Sequence, residues 1–259
     1  MHPVLVQLGP LKIYAYGTFL ALAFICGTLV SMTLARRKGL SADAILQAAV
    51  YIVMAAIAGS RLLYVLLNPG PYLENPVSIL NLPDGGLSLH GGVLGGLFAG
   101  YLVSLRLRVA FWPHADVVAP AVALGTGIAR VGCFLNGCCY GVLSGVPWAT
   151  LTRYAPGLRH PAQIYEMLLD FGLFGYLIWR LRRPSYDGQV FLHYVIGYAL
   201  VRFVAEVWRD SGLYLAGMSL AQVASIVIAL VFLGITWVLP RMTRSRQPEA
   251  PTPGEDTPS

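Results

Sequence analysis

The chain alternates between long apolar runs and short polar breaks. Runs of roughly 20 apolar residues, the length that crosses a hydrocarbon layer, cover about 14–34, 44–67, 87–105, 113–130, 161–180, 189–208 and 218–239. None of them shows the period of two that a barrel strand requires. The pattern predicts an all-α, polytopic integral membrane protein, with seven transmembrane helices in one domain over residues 1–240. Residues 241–259 are rich in Pro, Thr and Glu and are expected to form a disordered cytosolic tail. The first run is too long for the apolar part of a signal peptide, so it is expected to stay as the first helix. No internal repeat is visible.

Composition strengthens this class. Of 259 residues, 56% are hydrophobic and only 12% charged, where soluble domains carry about 25% charged residues. Mean hydropathy is +0.65. The net charge of +6 is concentrated in clusters: Arg36-Arg37-Lys38, Arg106 with Arg108, Arg180 with Arg182-Arg183, and Arg241, Arg244 and Arg246. These follow the first, third, fifth and seventh runs. Alternating spans put every cluster on one side, and the positive-inside rule makes that side the cytosol. The N-terminus is then outside and the C-terminus cytosolic. Nucleic-acid binding would need a basic face on a soluble fold, so no nucleic-acid partner is expected.

The remaining ionisable groups fall near the outer ends. Arg61, His90, Arg130, His160, Arg202, Glu206 and Arg209 lie there or in outer loops. Arg130 closes an apolar run inside the stretch Ile128 to Gly141, whose glycines and cysteines are expected to break the helix and open a loop to about His160. A charge at that depth marks a functional site by default. His90 precedes Gly91-Gly92, where a ligand or backbone can approach closely. Histidine suits proton transfer near neutral pH, since its unperturbed pKa is about 6.5, and a headgroup anchor is the equal alternative. Arg202, Glu206 and Arg209 share one helix face, as an ion pair with a snorkelling arginine or as a binding site. Arg61 either snorkels or pairs with an anion. Pro161 and Glu166 read as helix-start signals.

Several arginines facing the outer leaflet suggest a phosphate, which guanidinium matches in bidentate fashion. The abundant phosphate there is a phospholipid headgroup. No P-loop, GxGxxG or zincin pattern is present. Cys133, Cys138 and Cys139 are open to three readings: free thiols, a disulfide, or a metal or redox site with a fourth ligand such as His160. Cys26 reads as a small core residue.

Taken in order, the motifs resemble a known family, the bacterial phosphatidylglycerol–prolipoprotein diacylglyceryl transferases. The likeness rests on Tyr16-Gly17, on Gly59, Arg61 and Tyr64, on Asn75-Pro76 and on Gly85-Gly86-Leu87-Ser88-Leu89-His90-Gly91-Gly92. It continues through Arg130-Val131-Gly132, Phe134, Asn136-Gly137 and Gly141, then His160-Pro161-Ala162-Gln163-Ile164-Tyr165-Glu166, and Arg202, Glu206 and Arg209. The family's signature usually has Gly, Asn and Glu where this chain has Ala129, Cys133 and Cys138.

The resemblance implies transfer of a diacylglyceryl group from phosphatidylglycerol to the thiol of a lipobox cysteine in prolipoprotein signal peptides. A thioether forms and glycerol phosphate leaves. His90, Arg130, Arg202 and Glu206 are the implied catalytic residues. Arg130, Tyr16, Asn136, Gly141, Arg61 and Arg209 are the implied substrate-binding residues. No cofactor and no metal are implied, so a chelator is expected to leave the rate unchanged. The implied location is the bacterial plasma (inner) membrane, multi-pass, with the site on the outer, periplasmic face. Two rival readings remain at this level: a transporter or flippase of an anionic lipid, and a membrane thiol-redox protein.

Overall fold

The seven apolar runs form seven long helices in a computed structural model, which describes residues 2–8, 11–81, 85–210, 212, 214–215 and 217–244. Helix α1 spans Ala15–Arg37, α2 Ala42–Leu67, the short α3 Pro69–Glu74, α4 Leu89–Arg106, α5 Phe111–Asn136, α6 Ala162–Leu181, α7 Gln189–Ala205 and α8 Leu220–Arg244. Single turns of 3-10 helix cover Pro76–Leu80 and Glu206–Trp208. Among the described residues, five segments are long and apolar enough to cross a membrane: α1, α2, α5, α8, and α7 together with the 3-10 turn that continues it to Trp208. α4 carries His90, several glycines and Arg106, which lower its hydropathy, and α6 buries Glu166 and Asp170.

The structure departs from the sequence pattern in three places. α5 does not stop at Arg130; it runs through Gly132 and Cys133 to Asn136. Gly137, at φ 82°, then ends it in the left-handed conformation that glycine adopts without penalty. α8 does not stop at Leu239; it continues through Pro240 to Arg244, and the expected tail beyond lies outside the described residues. Short antiparallel hairpins were not foreseen: β1 (Val4–Leu8) with β2 (Leu11–Tyr14), β3 (Thr150–Leu151) with β4 (Leu158–Arg159), and β5 (Tyr214–Leu215) with β6 (Met218–Ser219). The strands of the last two hairpins have two residues each and carry no periodicity that a sequence reading can detect.

Small residues decide how the helices pair. A Cβ added at Gly91 would collide with the Gly59 carbonyl, and one at Gly95 with the Ala55 carbonyl, so α4 lies backbone to backbone along α2. Such seams are how helices associate in lipid, where dispersion and close approach replace the hydrophobic effect. α1 runs antiparallel to α5 in the same way. Gly27 faces Ala121, Gly125 faces Ala23, and Gly132 faces Tyr16.

The shared core lies between α5, α6 and α7. Val117, Leu173, Leu177, Val190 and Val201 are buried there with Ala35 of α1 and Ile45 of α2. Buried Asp116 of α5 accepts from the backbone N–H groups of Gly188 and Phe191, both at 2.8 Å. It thereby caps α7 from another helix, satisfying donors that would otherwise be orphaned.

Antiparallel pairing sets which ends meet. The start of α1, the end of α5, the start of α6 and the end of α7 share one end of the bundle. The basic clusters that follow α1 and α6 share the other.

Candidate active site

Four elements converge at the first of these ends, and loop hydrogen bonds lock them. The α5–α6 connection folds back onto the end of α7: Val142 N donates to Trp208 O at 2.9 Å, and Asp210 N to Tyr140 O at 3.3 Å. Gly141 N donates to His160 O at 3.0 Å. A Cβ at Gly141 would collide with the Trp208 and His160 carbonyl oxygens. Only glycine fits this crossing, so Gly141 positions neighbours and offers no side chain of its own. Arg159 ties the same loops. Its Nη1 meets Asp210 Oδ2 at 2.7 Å and the Gly141 carbonyl at 3.2 Å, and its guanidinium lies over the Tyr140 ring.

Beneath this loop lies a cluster of charges. Glu166 of α6, only 2% exposed, faces three arginines. Arg130 Nη2 is 2.7 Å from Oε1, while Arg209 Nη1 and Arg202 Nη1 are 3.6 and 3.9 Å from Oε2. Arg202 Nη2 also pairs with Glu206 Oε2 at 2.7 Å. Burying an isolated charge is prohibitive, so such groups persist only when paired. Here three guanidinium groups share Glu166 and Glu206, with Asp170 buried one turn further along α6. Each arginine keeps 16–20% of its side chain exposed. The arrangement can receive an anion with several oxygens without first moving its own charges.

The sequence-predicted residues divide clearly. Arg130, Arg202, Glu206 and Arg209 come together. Tyr16, at the start of α1, stands beside them because Gly132 lets α1 approach α5 closely. Asn136 ends α5 at the rim, with its Nδ2 3.5 Å from the Tyr154 hydroxyl. Glu166 is the residue the sequence reading undervalued. Helix α6 begins at Ala162 with Pro161 as its cap, and Glu166 lies beyond the first turn, too deep to serve the helix dipole. The available signal was its pairing with Asp170 four residues on, since two acids on one face of an apolar run need a reason. Asp170 is fully buried.

Arg61 does not join the cluster. Its Nε donates to Ile79 O, Nη1 to Gly85 O and Gly86 O, and Nη2 to Ser78 O and Asn81 O, at 2.6–3.0 Å. All five donors are committed to carbonyls of the α2–α4 loop. Tyr72 covers the guanidinium at 5.1 Å. His90 opens α4 with an exposed side chain. Among the described residues no hydrogen bond or ion pair joins it to the arginines. His160 Nδ1 lies 3.0 Å from the Tyr165 hydroxyl, which accepts from Trp148 Nε1 at 2.7 Å.

The three cysteines gather beside Arg130. Their sulfurs lie within 4.8 Å of one another, and none is in a disulfide. Arg130 Nη1 is 3.9 Å from Cys133 Sγ. In the loop, hydrogen bonding from Cys133 and Cys138 draws the Cys139 thiol below its usual range, with Arg209 and Arg130 adding a smaller pull.

Comparison with known proteins agrees with this picture. The family described as prolipoprotein diacylglyceryl transferase matches residues 3–238. A phosphatidylglycerol–prolipoprotein diacylglyceryl transferase of Synechococcus elongatus is 37% identical over 251 residues, covering 91% of this chain and 87% of the relative. The protein of that name in Bordetella avium is 36% identical over 259 residues, covering 95% and 97%. That of Clostridioides difficile is 33% identical over 228 residues, covering 88% and 91%. With nearly the whole helical bundle matched, and the motifs that carried the resemblance distributed along it, this chain belongs to the prolipoprotein diacylglyceryl transferase family.

Proposed function

We propose that this protein transfers the diacylglyceryl group of phosphatidylglycerol to the cysteine thiol of a prolipoprotein lipobox, releasing glycerol phosphate. The observation that carries the reading is the group of three arginines around one buried glutamate. A phosphodiester placed at its open side meets guanidinium groups already oriented. Charge that develops on the leaving phosphate is stabilised by donors set beforehand, an effect worth about 10²–10³-fold in rate per donor.

In this scheme Arg130 and Arg202 clamp the phosphate and Arg209 adds charge from the end of α7. Glu206 orients Arg202, and Glu166 holds all three guanidinium groups at one depth. Tyr16 and Asn136 offer hydrogen bonds to the headgroup. Arg61 holds a loop and is left out of the clamp. The attacking thiol is mostly protonated near neutral pH, since a free cysteine has a pKa of about 8.5. His90 takes that proton, and general-base help contributes about 10²–10⁴-fold. The exposure of His90 at the head of α4 leaves its imidazole accessible to an incoming peptide.

All seven long helices cross the membrane in this reading. The basic clusters then lie in the cytosol and the arginine site opens to the outer leaflet of a bacterial plasma membrane. The substrates are phosphatidylglycerol and the signal peptide of a prolipoprotein, both of which reach the site laterally from lipid.

The test uses the purified full chain in phosphatidylglycerol vesicles with a lipobox peptide. The expected result is a peptide heavier by one diacylglyceryl group and an equal yield of glycerol phosphate. Lipid movement between leaflets without peptide modification would refute the transferase reading in favour of a flippase. His90→Gln should nearly abolish transfer, and full activity in that variant would remove His90 from the scheme.

A further inference from the structure

The cysteine cluster is built with more care than packing requires. Cys133 lies in the last turn of α5 with 5% of its surface exposed. Gly137 stops the helix, and the chain doubles back so that Cys138 Sγ lies 3.7 Å from the Cys133 carbonyl. Cys139 has φ 59°, a left-handed conformation that non-glycine residues avoid. It costs on the order of 1–2 kcal/mol, and such strain persists only where the surroundings impose it. The surroundings do so here from two other elements. Gln163 Nε2 of α6 donates to Cys138 O at 2.6 Å, and Thr152 Oγ1 donates to Gly137 O at 2.6 Å. The result is three thiols turned toward one point.

We propose that Cys133, Cys138 and Cys139 form a three-thiolate site for a thiophilic divalent cation of the zinc class, whose fourth position receives the acceptor's cysteine thiol. Zinc–sulfur bonds of about 2.3 Å in a tetrahedron place neighbouring sulfurs about 3.8 Å apart. Sulfurs already within 4.8 Å of one another reach that spacing by small side-chain rotations. His160 is not a fourth ligand. It stands outside the cluster, with its Nδ1 turned to Tyr165. Three protein ligands and an open position are the pattern of zinc sites that handle a substrate. Binding of the cation would release the three S–H protons to water; three thiolates on a dication then leave one negative charge, which Arg130 faces at 3.9 Å from Cys133 Sγ.

The role rests on the transferase reading above. The acceptor's S–H bond breaks as its sulfur takes the open position, and the proton passes to water or to His90. The bound sulfur then donates its electron pair to the glyceryl carbon. The carbon–oxygen bond breaks, and that pair leaves on the phosphate held by Arg130 and Arg202. The thioether product is neutral, binds the cation poorly and departs. This replaces the expectation that no metal takes part.

The test is metal binding by the full chain in detergent, first stripped with a chelator under reducing conditions. With zinc added, one ion per chain should be retained after gel filtration. Cobalt(II) should give thiolate-to-metal charge-transfer absorption that grows when a cysteine-containing lipobox peptide is added. Cys138→Ser should weaken binding by at least about 100-fold, beyond what loss of a supporting neighbour costs. Cys26→Ser, far along α1, should change nothing. Failure to bind zinc or cobalt with all thiols reduced would overturn the proposal, as would a Cys133–Cys139 disulfide in protein taken directly from membranes. If a cysteine variant does not fold, the cobalt titration of the unaltered chain still decides. The lipidation assay separates the two readings. Transfer by metal-free protein removes the metal and keeps the transferase. Metal binding without any transfer keeps the site and removes its assigned role.

Discussion

Glu166 shows what one carboxylate can do when it is the common partner of several cations. Removing its charge leaves Arg130, Arg202 and Arg209 facing one another with only Glu206 to compensate. Breaking a buried ion pair by neutralising one partner costs about 3–5 kcal/mol. Glu166→Gln should therefore lower the thermal midpoint of the detergent-solubilised protein clearly, and an unchanged midpoint would mean that the arginines are held by something else. Arg61 makes the opposite case. Its charge satisfies loop carbonyls, and hydrogen bonds to charged groups are worth about 1.5–3 kcal/mol each. Lysine cannot reproduce five donors in a planar fork. Arg61→Lys should speed chymotrypsin cleavage at Tyr72, and an unaltered cleavage rate would count against a loop-holding role. The sequence exposed Arg130, Arg202, Glu206 and Arg209 because charge in an apolar run is costly wherever it points. It did not separate Arg61 from them, since a carbonyl cage and a phosphate both account for a buried guanidinium. Glu166 was visible but explained away as a helix-start residue, because its partners lie on other helices.

At the scale of elements, glycine spacing does what leucine packing does in water-soluble bundles. The α2–α4 seam depends on Gly59, Gly91 and Gly95 meeting backbone to backbone. Gly95→Val adds volume where none exists, and overpacking of this kind costs about 1–3 kcal/mol. The variant should unfold at lower temperature in detergent and lose transfer in proportion to the unfolded fraction. Wild-type stability would show that the helices do not lie so close. The same logic applies to the loop crossing at Gly141. Gly141→Ala should separate the α5–α6 connection from Trp208 and raise hydrogen exchange at Val142 N and Asp210 N. Unchanged protection would remove Gly141 from the crossing. The seven long helices were legible in the sequence because each is a long, predominantly apolar run, including the sides it leaves exposed. The extension of α5 to Asn136 was not, because the glycines and three cysteines from Gly132 to Gly141 look like a break until Gly132 is seen to make room for Tyr16 and Phe19. The β3–β4 and β5–β6 hairpins were invisible because two paired residues leave no pattern.

The whole molecule separates two kinds of charge. Solvated lysines and arginines follow α1, α4 and α6, while paired arginines and carboxylates gather where α5, α6 and α7 meet. This polarity suits a reaction that takes both substrates from one leaflet, and it places the arginines and the cysteines within reach of a single lipid headgroup. The most direct test of that claim is the turnover number for lipid transfer by Arg130→Ala and by Arg202→Ala in phosphatidylglycerol vesicles, beside Arg106→Ala at the opposite end of the bundle. The account predicts a fall of at least about 10²-fold for each of the first two, with the third unchanged. Turnover at the unaltered rate in both Arg130→Ala and Arg202→Ala would contradict it.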